Sequence, residues 1–218
     1  MRPLHEKYRP TTWADVIGQD KAVRALLSLR DRSGGWGGRA YFITGPSGTG
    51  KTTIARLIAA ELAGTWGTME LDAGELTSPG KVRELGDAMI QYGMGGGRCT
   101  ILNEAHGLRR DVVRALLVEL EPIPNHAAWV FTTTCDGADM LFDGTDDAGP
   151  LVSRCTPVSL TSRGLCEPFA ARALEIARAE GLDGQPLERY QRLAKDCRNS
   201  LRMMLSRIEA GAMMGGAE

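Results

Sequence analysis

The sequence predicts an α/β domain built on a parallel sheet with helices on both faces, followed by a small all-helical unit. Three observations carry that expectation. Short apolar runs alternate with helical patterns between Ala40 and Thr134, which implies crossover connections between parallel strands. A glycine-rich loop, Gly45–Thr52, separates the first apolar run from the helix that follows it. From Thr161 onward the remaining patterns are helical only. The expected division is an α/β domain over 1–160, a helical domain over 161–211 and a flexible tail over 212–218.

Each element has its own signal. Asp20–Arg32 places Val23, Leu26, Leu27 and Leu29 on a helical period, with Asp20 near its start. Ser33–Gly38 reads as a flexible break. Ala40–Thr44 is a buried strand, and the helix after the loop is stopped by Gly64. Thr68–Asp72 is a short strand, and Gly80–Gly93 a helix after the breaker Pro79. Cys99–Asn103 is a strand. Arg110–Glu121 is a helix with Val113, Leu116, Leu117 and Leu120 on one face, ended by Pro122. Ala127–Thr134 is another strand. Further helices are expected at about Cys166–Glu180, Pro186–Cys197 and Asn199–Gly211. Cys135–Gly149 is acidic and turn-rich, which reads as a solvated loop.

Composition narrows the function. The chain has 218 residues, 43% of them hydrophobic and 24% charged, enough for one α/β core and an appendage. The net charge is −1, so any grip on nucleic acid requires a local basic patch. No apolar run reaches the roughly 20 residues that span a bilayer. The opening MRPLHEKYRP lacks the apolar stretch of a secretory signal. The five cysteines are odd in number and contain no CxxC pair, which argues against zinc or a disulfide framework and for reduced thiols in the cytoplasm.

Gly45, Pro46, Ser47, Gly48, Thr49, Gly50, Lys51 and Thr52 together match GxxxxGK[ST], with a strand before and a helix after. Glycines let backbone N–H groups converge on phosphate oxygens without a Cβ in the way. The helix start adds its positive end. Lys51 supplies a point charge for the β- and γ-phosphates, Thr52 a hydroxyl for Mg²⁺, and Thr53 continues the same turn. The ligands implied are ATP and Mg²⁺.

Hydrolysis needs a carboxylate near Mg²⁺ and a base for the attacking water, both at the end of an apolar strand. In Cys99–His106, Glu104 stands as the base. The position before it is Asn103, where an Asp is the usual residue. An amide oxygen still accepts a hydrogen bond from a metal-bound water but brings no charge. The expectation is weaker Mg²⁺ binding and slower hydrolysis, with nucleotide binding without turnover as the alternative. His106 reads as a polar loop histidine.

With these residues in view, the chain resembles AAA+ clamp-loader ATPases over about Leu4–Gly211, in particular replication factor C small subunits and bacterial gamma/tau subunits. Glu6–Gln19 is similar to the family's N-terminal segment, which implies that Tyr8, Arg9, Pro10, Val16 and Ile17 line an adenine pocket. Glu70–Glu84 resembles the segment after the second strand. Thr134 occupies the place of the first sensor. Ser153–Cys155 matches the family's SRC motif, which makes Arg154 an arginine finger acting in trans on a neighbouring subunit's ATP. Lys195–Leu201 resembles the second-sensor motif, which makes Arg198 a γ-phosphate contact from a helical lid.

The resemblance also implies partners: other loader subunits, a sliding clamp and primer-template DNA gripped through its backbone, with no membrane. Lys81 and Arg83 at one helix start, and Arg109 and Arg110 at another, are the candidate phosphate contacts. Three departures are visible. The zinc-binding cysteine cluster of the gamma/tau relatives is reduced to Cys99. The segment between Thr134 and Arg154 is longer than the family pattern. The sequence ends at Glu218, before a collar, so a fragment, a partner-supplied collar or a different assembly is expected instead of a stable ring of this chain alone. The readings in play are a clamp-loader ATPase subunit, a nucleotide-binding structural subunit of such a loader, and another AAA+ DNA motor such as a branch-migration helicase subunit.

Overall fold

A computed structural model describes residues 2–93, 95–134 and 148–215. The chain divides into two compact units. One comprises Met1–Asp20, Pro46–Gly50 and Thr161–Glu218; the other comprises Lys21–Gly45 and Lys51–Leu160. The change at Leu160/Thr161 falls where the helical patterns take over in the sequence. The first twenty residues and the tip of the glycine loop group with the helices instead of with the sheet.

The larger unit is a five-stranded parallel sheet. In chain order its strands are β1 (Arg39–Thr44), β2 (Thr68–Asp72), β3 (Arg98–Asn103), β4 (Ala127–Thr133) and β5 (Cys155–Ser159). They lie side by side as β2-β3-β4-β1-β5. β4 is central and buried along its whole length, which is why its sequence runs apolar instead of alternating. β5 was not expected from the sequence. It is short and carries Pro157, which cannot donate to a ladder and is tolerated because β5 is an edge.

The helices of this unit are α2 (Asp20–Ser33), α3 (Lys51–Leu62), the single turn α4 (Gly64–Gly67), α5 (Pro79–Ile90), α6 (Arg110–Glu119) and α7 (Ala148–Ser153). Pro79 opens α5 instead of standing before it. Its missing N–H costs nothing at a first helical position, and Ser78 accepts from Lys81 N as the cap. α6 buries Val112, Val113 and Leu116 beside Phe131 and Leu102 in one apolar cluster, while Val118 stays exposed.

The Ser33–Gly38 stretch is no flexible break. Trp36 is 3% exposed, its indole N–H donates to Glu61 at 2.7 Å, and its carbonyl accepts from the Tyr41 hydroxyl at 2.8 Å. The indole's apolar area outweighs the freedom of the surrounding glycines.

The helical unit holds the short α1 (Leu4–Lys7), α8 (Cys166–Glu180), α9 (Leu187–Asp196) and α10 (Leu201–Glu209). Phe169, Ile176, Tyr190, Leu193, Met204 and Ile208 form its core. Gly181 ends α8 with φ 68°, a left-handed cap that glycine adopts without strain. α10 starts later than the sequence suggested, because Arg198 and Asn199 are left-handed and Ser200 is the cap. The tail also departs from expectation. Met213 is 6% exposed and packs into this core, so burial of its side chain fixes the chain past Gly211. Residues 135–147, including most of the acidic loop, and residues 216–218 lie outside the described residues.

Replacing Leu116 with Ala should cost about 2–5 kcal/mol, because it removes a buried side chain from the α6–sheet core. Replacing exposed Val118 with Ala should change stability by no more than about 0.5 kcal/mol. Urea midpoints of the two variants would check the orientation of α6.

Candidate functional site

β1 and α3 position the glycine loop. Gly45 leaves the strand and Lys51 opens the helix, so the first N–H groups of α3 have no partners within the helix. Gly48 (φ 80°) and Gly50 (φ 102°) take backbone conformations that side chains rarely adopt. Lys51 is 8% exposed, and its Nζ donates to the Gly45 carbonyl at 2.8 Å. Thr49 is buried, and its hydroxyl donates to the Pro46 carbonyl at 2.8 Å, closing the turn. Ser47 is exposed, while Thr53 is buried in the first turn of α3.

Thr52 on α3 meets the end of β3. Its hydroxyl donates to Asn103 Oδ1 at 3.3 Å, and the Thr132 hydroxyl donates to the same oxygen at 2.9 Å. Asn103 Nδ2 donates to Glu70 Oε1 at 2.9 Å. Glu104 follows with φ 53° and ψ 48°, a left-handed conformation that costs a non-glycine residue about 1–2 kcal/mol. Strain of this kind collects at functional positions. His106 Nδ1 lies 3.4 Å from Glu104 Oε2 and 3.1 Å from the Thr133 hydroxyl. Thr134, the expected sensor, comes one residue after β4 ends. The Thr132 hydroxyl meets Asn103, and the Thr133 hydroxyl meets His106.

In the helical unit, the expected base-pocket residues are tied to helices. The Tyr8 hydroxyl and Lys7 Nζ both donate to Glu180 Oε1, the latter at 2.6 Å. Arg9 pairs with Glu6, Nε to Oε2 at 3.3 Å. Tyr8 and Ile17 pack on the helical core, and Pro10 and Val16 are half-buried. Gly18, beside Leu165, has φ 73°, a left-handed conformation that glycine adopts without strain. Buried Gln19 ties three segments together. Its Nε2 donates to Thr161 O at 2.9 Å and Thr49 O at 3.4 Å, and its Oε1 accepts from Thr161 N at 3.2 Å. A Cβ on Gly48 would meet Ser200 Oγ at 2.1 Å, so the loop tip and the cap of α10 are in contact. Arg198 stands two residues before that cap, at φ 52°.

The SRC segment has a division of labour. Ser153 Oγ donates to Pro150 O at 2.9 Å, and the Cys155 thiol to Leu151 O at 3.2 Å. Burial pushes that thiol up to about 12, so it stays protonated and structural. Arg154 between them reaches Glu121 at 3.1 Å and donates to Pro150 O at 3.2 Å. The basic candidates gather at the starts of α5 and α6. Arg109 donates to Thr77 O at 3.2 Å and Lys81 to Glu75 O at 3.1 Å, both within the segment that leads into α5. Arg83 and Arg110 are exposed on the same two helix starts.

Residues 41–144 match the family model of the AAA ATPases, "ATPase family associated with various cellular activities". Over that stretch the chain resembles the AAA ATPases. Solved structures agree with an AAA fold: RuvB of Thermotoga maritima superposes with TM-score 0.69 at 22% identity, covering 93% of this chain and 64% of that one. In sequence, the chain is 30% identical to DNA polymerase III subunit tau of Escherichia coli, over 99% of this chain and 35% of that protein. It is 31% identical to the replication factor C small subunit of Halobacterium salinarum, over 82% of this chain and 53% of that protein. The chain spans about a third to a half of these relatives' lengths. Among the described residues, no helix is long and apolar enough to cross a membrane.

Sequence reasoning named the loop, Asn103 and Glu104 but missed Glu70, Arg56, Thr132, Gln19 and Ser200. Only Gln19 offered a signal, as a polar residue closing an otherwise apolar VIGQ run. The others depend on which strands and helices become neighbours.

The Tyr8–Glu180 contact predicts a pH dependence. Hydrogen bonds from Lys7 and Tyr8 hold the Glu180 carboxyl below its usual range. Its stabilisation is present above the ordinary glutamate value, about 4.3, and is lost as pH falls through the lower folded value. Glu180→Gln should therefore be less stable than the wild type at neutral pH, and the difference should close in acid. Urea midpoints at both pH values check this.

Proposed function

We propose that this chain is an ATP-binding, ATP-hydrolysing subunit of a sliding-clamp loader. The observation that supports it best is the glycine loop, with a buried lysine and a helix start at one end and a hydroxyl–amide pair at the other. Those groups fit a magnesium triphosphate. Backbone donors and Lys51 suit the phosphates, and Thr52 with the Asn103 oxygen suits the water shell of a divalent ion. Mg²⁺, when bound, would neutralise charge on the β- and γ-phosphate oxygens.

The chain's own residues then divide the work. Lys51 exchanges the Gly45 carbonyl for phosphate oxygen. Glu104, already in its strained conformation and beside His106, orients the attacking water and takes its proton. Following the resemblance, Tyr8, Arg9, Pro10, Val16 and Ile17 hold the base, and Thr134 and Arg198 contact the γ-phosphate. Arg154 acts in trans. Its pair with Glu121 is exposed and weak, so a neighbour's phosphate can displace it. Lys81, Arg83, Arg109 and Arg110 take DNA phosphates without reading sequence. Clamp, companion subunits and primer-template DNA are the proposed partners, in a hetero-oligomer in the cytoplasm.

Asn103 keeps a second reading open, a loader subunit that binds ATP with little turnover, because an amide at the end of β3 would bring no charge to a divalent ion. Steady-state hydrolysis by the subunit assembled with clamp and primed DNA separates the two. Glu104→Gln should leave ATP affinity near the wild-type value and cut turnover by on the order of 10²-fold or more, the usual worth of a positioned base. Unchanged turnover would assign hydrolysis to other subunits.

A further inference from the structure

In the sequence His106 reads as a polar loop histidine. In the fold it has two partners. It lies in the short turn Ala105–Gly107 that follows β3. The backbone of that turn is tied down. Ala105 is fully buried, Gly107 N donates to the Glu104 carbonyl at 2.8 Å, and Leu108 N donates to the Ala105 carbonyl at 3.1 Å. From this turn His106 Nδ1 comes within 3.1 Å of the Thr133 hydroxyl and 3.4 Å of Glu104 Oε2. Thr133 is wholly buried at the end of β4 and pairs in register with Thr44, the last residue before the glycine loop. One ring nitrogen thus links the end of the central strand to the carboxylate assigned as the base.

Glu104 needs such a link. Its left-handed backbone, φ 53° and ψ 48°, fixes where the side chain leaves the chain. It does not fix where the carboxylate ends, because the side chain is 55% exposed and a glutamate is rich in rotamers. A base must stay within hydrogen-bond reach of the water it activates. A neighbour anchored in the core can restrict it to that place.

The chemistry of the contact also selects a tautomer. A carboxylate accepts hydrogen bonds and donates none, so Nδ1 is drawn to Glu104 only when it carries the proton. A bare Nδ1 would turn its lone pair toward the carboxylate, and only the Thr133 hydroxyl could use it. A protonated Nδ1 suits both neighbours, since the Thr133 oxygen can accept as well.

We propose that His106 is a positioning residue: as the Nδ1–H tautomer, anchored on Thr133, it holds the Glu104 carboxylate in its working place. The role deepens the reading of Glu104 as the base in ATP hydrolysis and rests on it. The tautomer and the contact do not.

Three measurements on the full chain test this. Heteronuclear NMR of the histidine ring nitrogens, at a pH above the ordinary histidine range, should show Nδ1–H at His106, assigned by its loss in His106→Asn. Mg·ATP affinity is measured by calorimetry, and hydrolysis in single turnovers with protein in excess. His106→Phe should slow hydrolysis on the order of 10- to 100-fold, the scale of a misplaced group, with ATP affinity unchanged. His106→Asn should recover most of the rate, because its Nδ2 can replace Nδ1 as the donor. In a Glu104→Asp background, whose carboxylate is one methylene short of the ring, His106→Phe should cost little further. A general loss of structure would slow both backgrounds alike.

An Nε2–H tautomer overturns the proposal. So does a His106→Phe rate equal to the wild type's, or an equal fold-loss in both backgrounds. If His106→Phe does not fold, the tautomer and the rate of His106→Asn decide, and a wild-type-like rate with Nδ1–H sustains it. A wild type that binds Mg·ATP and hydrolyses none overturns the role of His106 and leaves nucleotide binding standing. Nδ1–H in a chain that binds no ATP would sustain the contact and sink the nucleotide reading.

Discussion

A lysine ammonium held almost out of water at the first turn of a helix is the constraint on which the rest of this molecule depends. Burial disfavours the charge, and the positive end of α3 disfavours it again. The loop bends back so that the Gly45 carbonyl accepts from Lys51 at 2.8 Å, which offsets part of that cost. A concentration of positive potential with backbone donors around it is a place where an anion is stabilised. The sheet is thus a platform that brings β1, β3 and β4 to end beside one another, with their terminal polar residues near that potential.

Much of this was legible in the sequence, because it is encoded locally. The strand, loop and helix around Gly45–Thr52 sit in consecutive residues, and the alternation of apolar runs implied the parallel sheet. What was not legible depends on neighbours far along the chain. β5 is a strand because β1 is there to pair with it, and its Pro157 hides it from any pattern of strand-forming residues. Trp36 looked like part of a glycine-rich spacer until Glu61 and Tyr41 came to it. Pro79 broke the helix pattern on paper and starts the helix in the fold. Met213 looked like tail and is core.

The candidate site repeats the lesson at the level of single atoms. Asn103 stood out against the usual Asp, and taken alone it implied a simple loss of charge. The charge is present one hydrogen bond away, on Glu70, balanced by Arg56. Glu70 opens a segment that resembles the family's, but its relation to Asn103, like that of Arg56, comes from strand register and from one turn of α3. Gln19 and Ser200 likewise act through contacts made by the fold: one binds the loop tip to Thr161, the other fills the space that Gly48 leaves open.

The central claim is that this loop grips a triphosphate through Lys51 and backbone amides. Isothermal titration of Mg·ATP into the wild-type chain and into Lys51→Ala tests it most directly. The account predicts one saturable site in the wild type and at least tenfold weaker binding in the variant, given about 1.5–3 kcal/mol for hydrogen bonds to a charged group. Absence of saturable binding in the wild type, or equal affinity in both proteins, would contradict it.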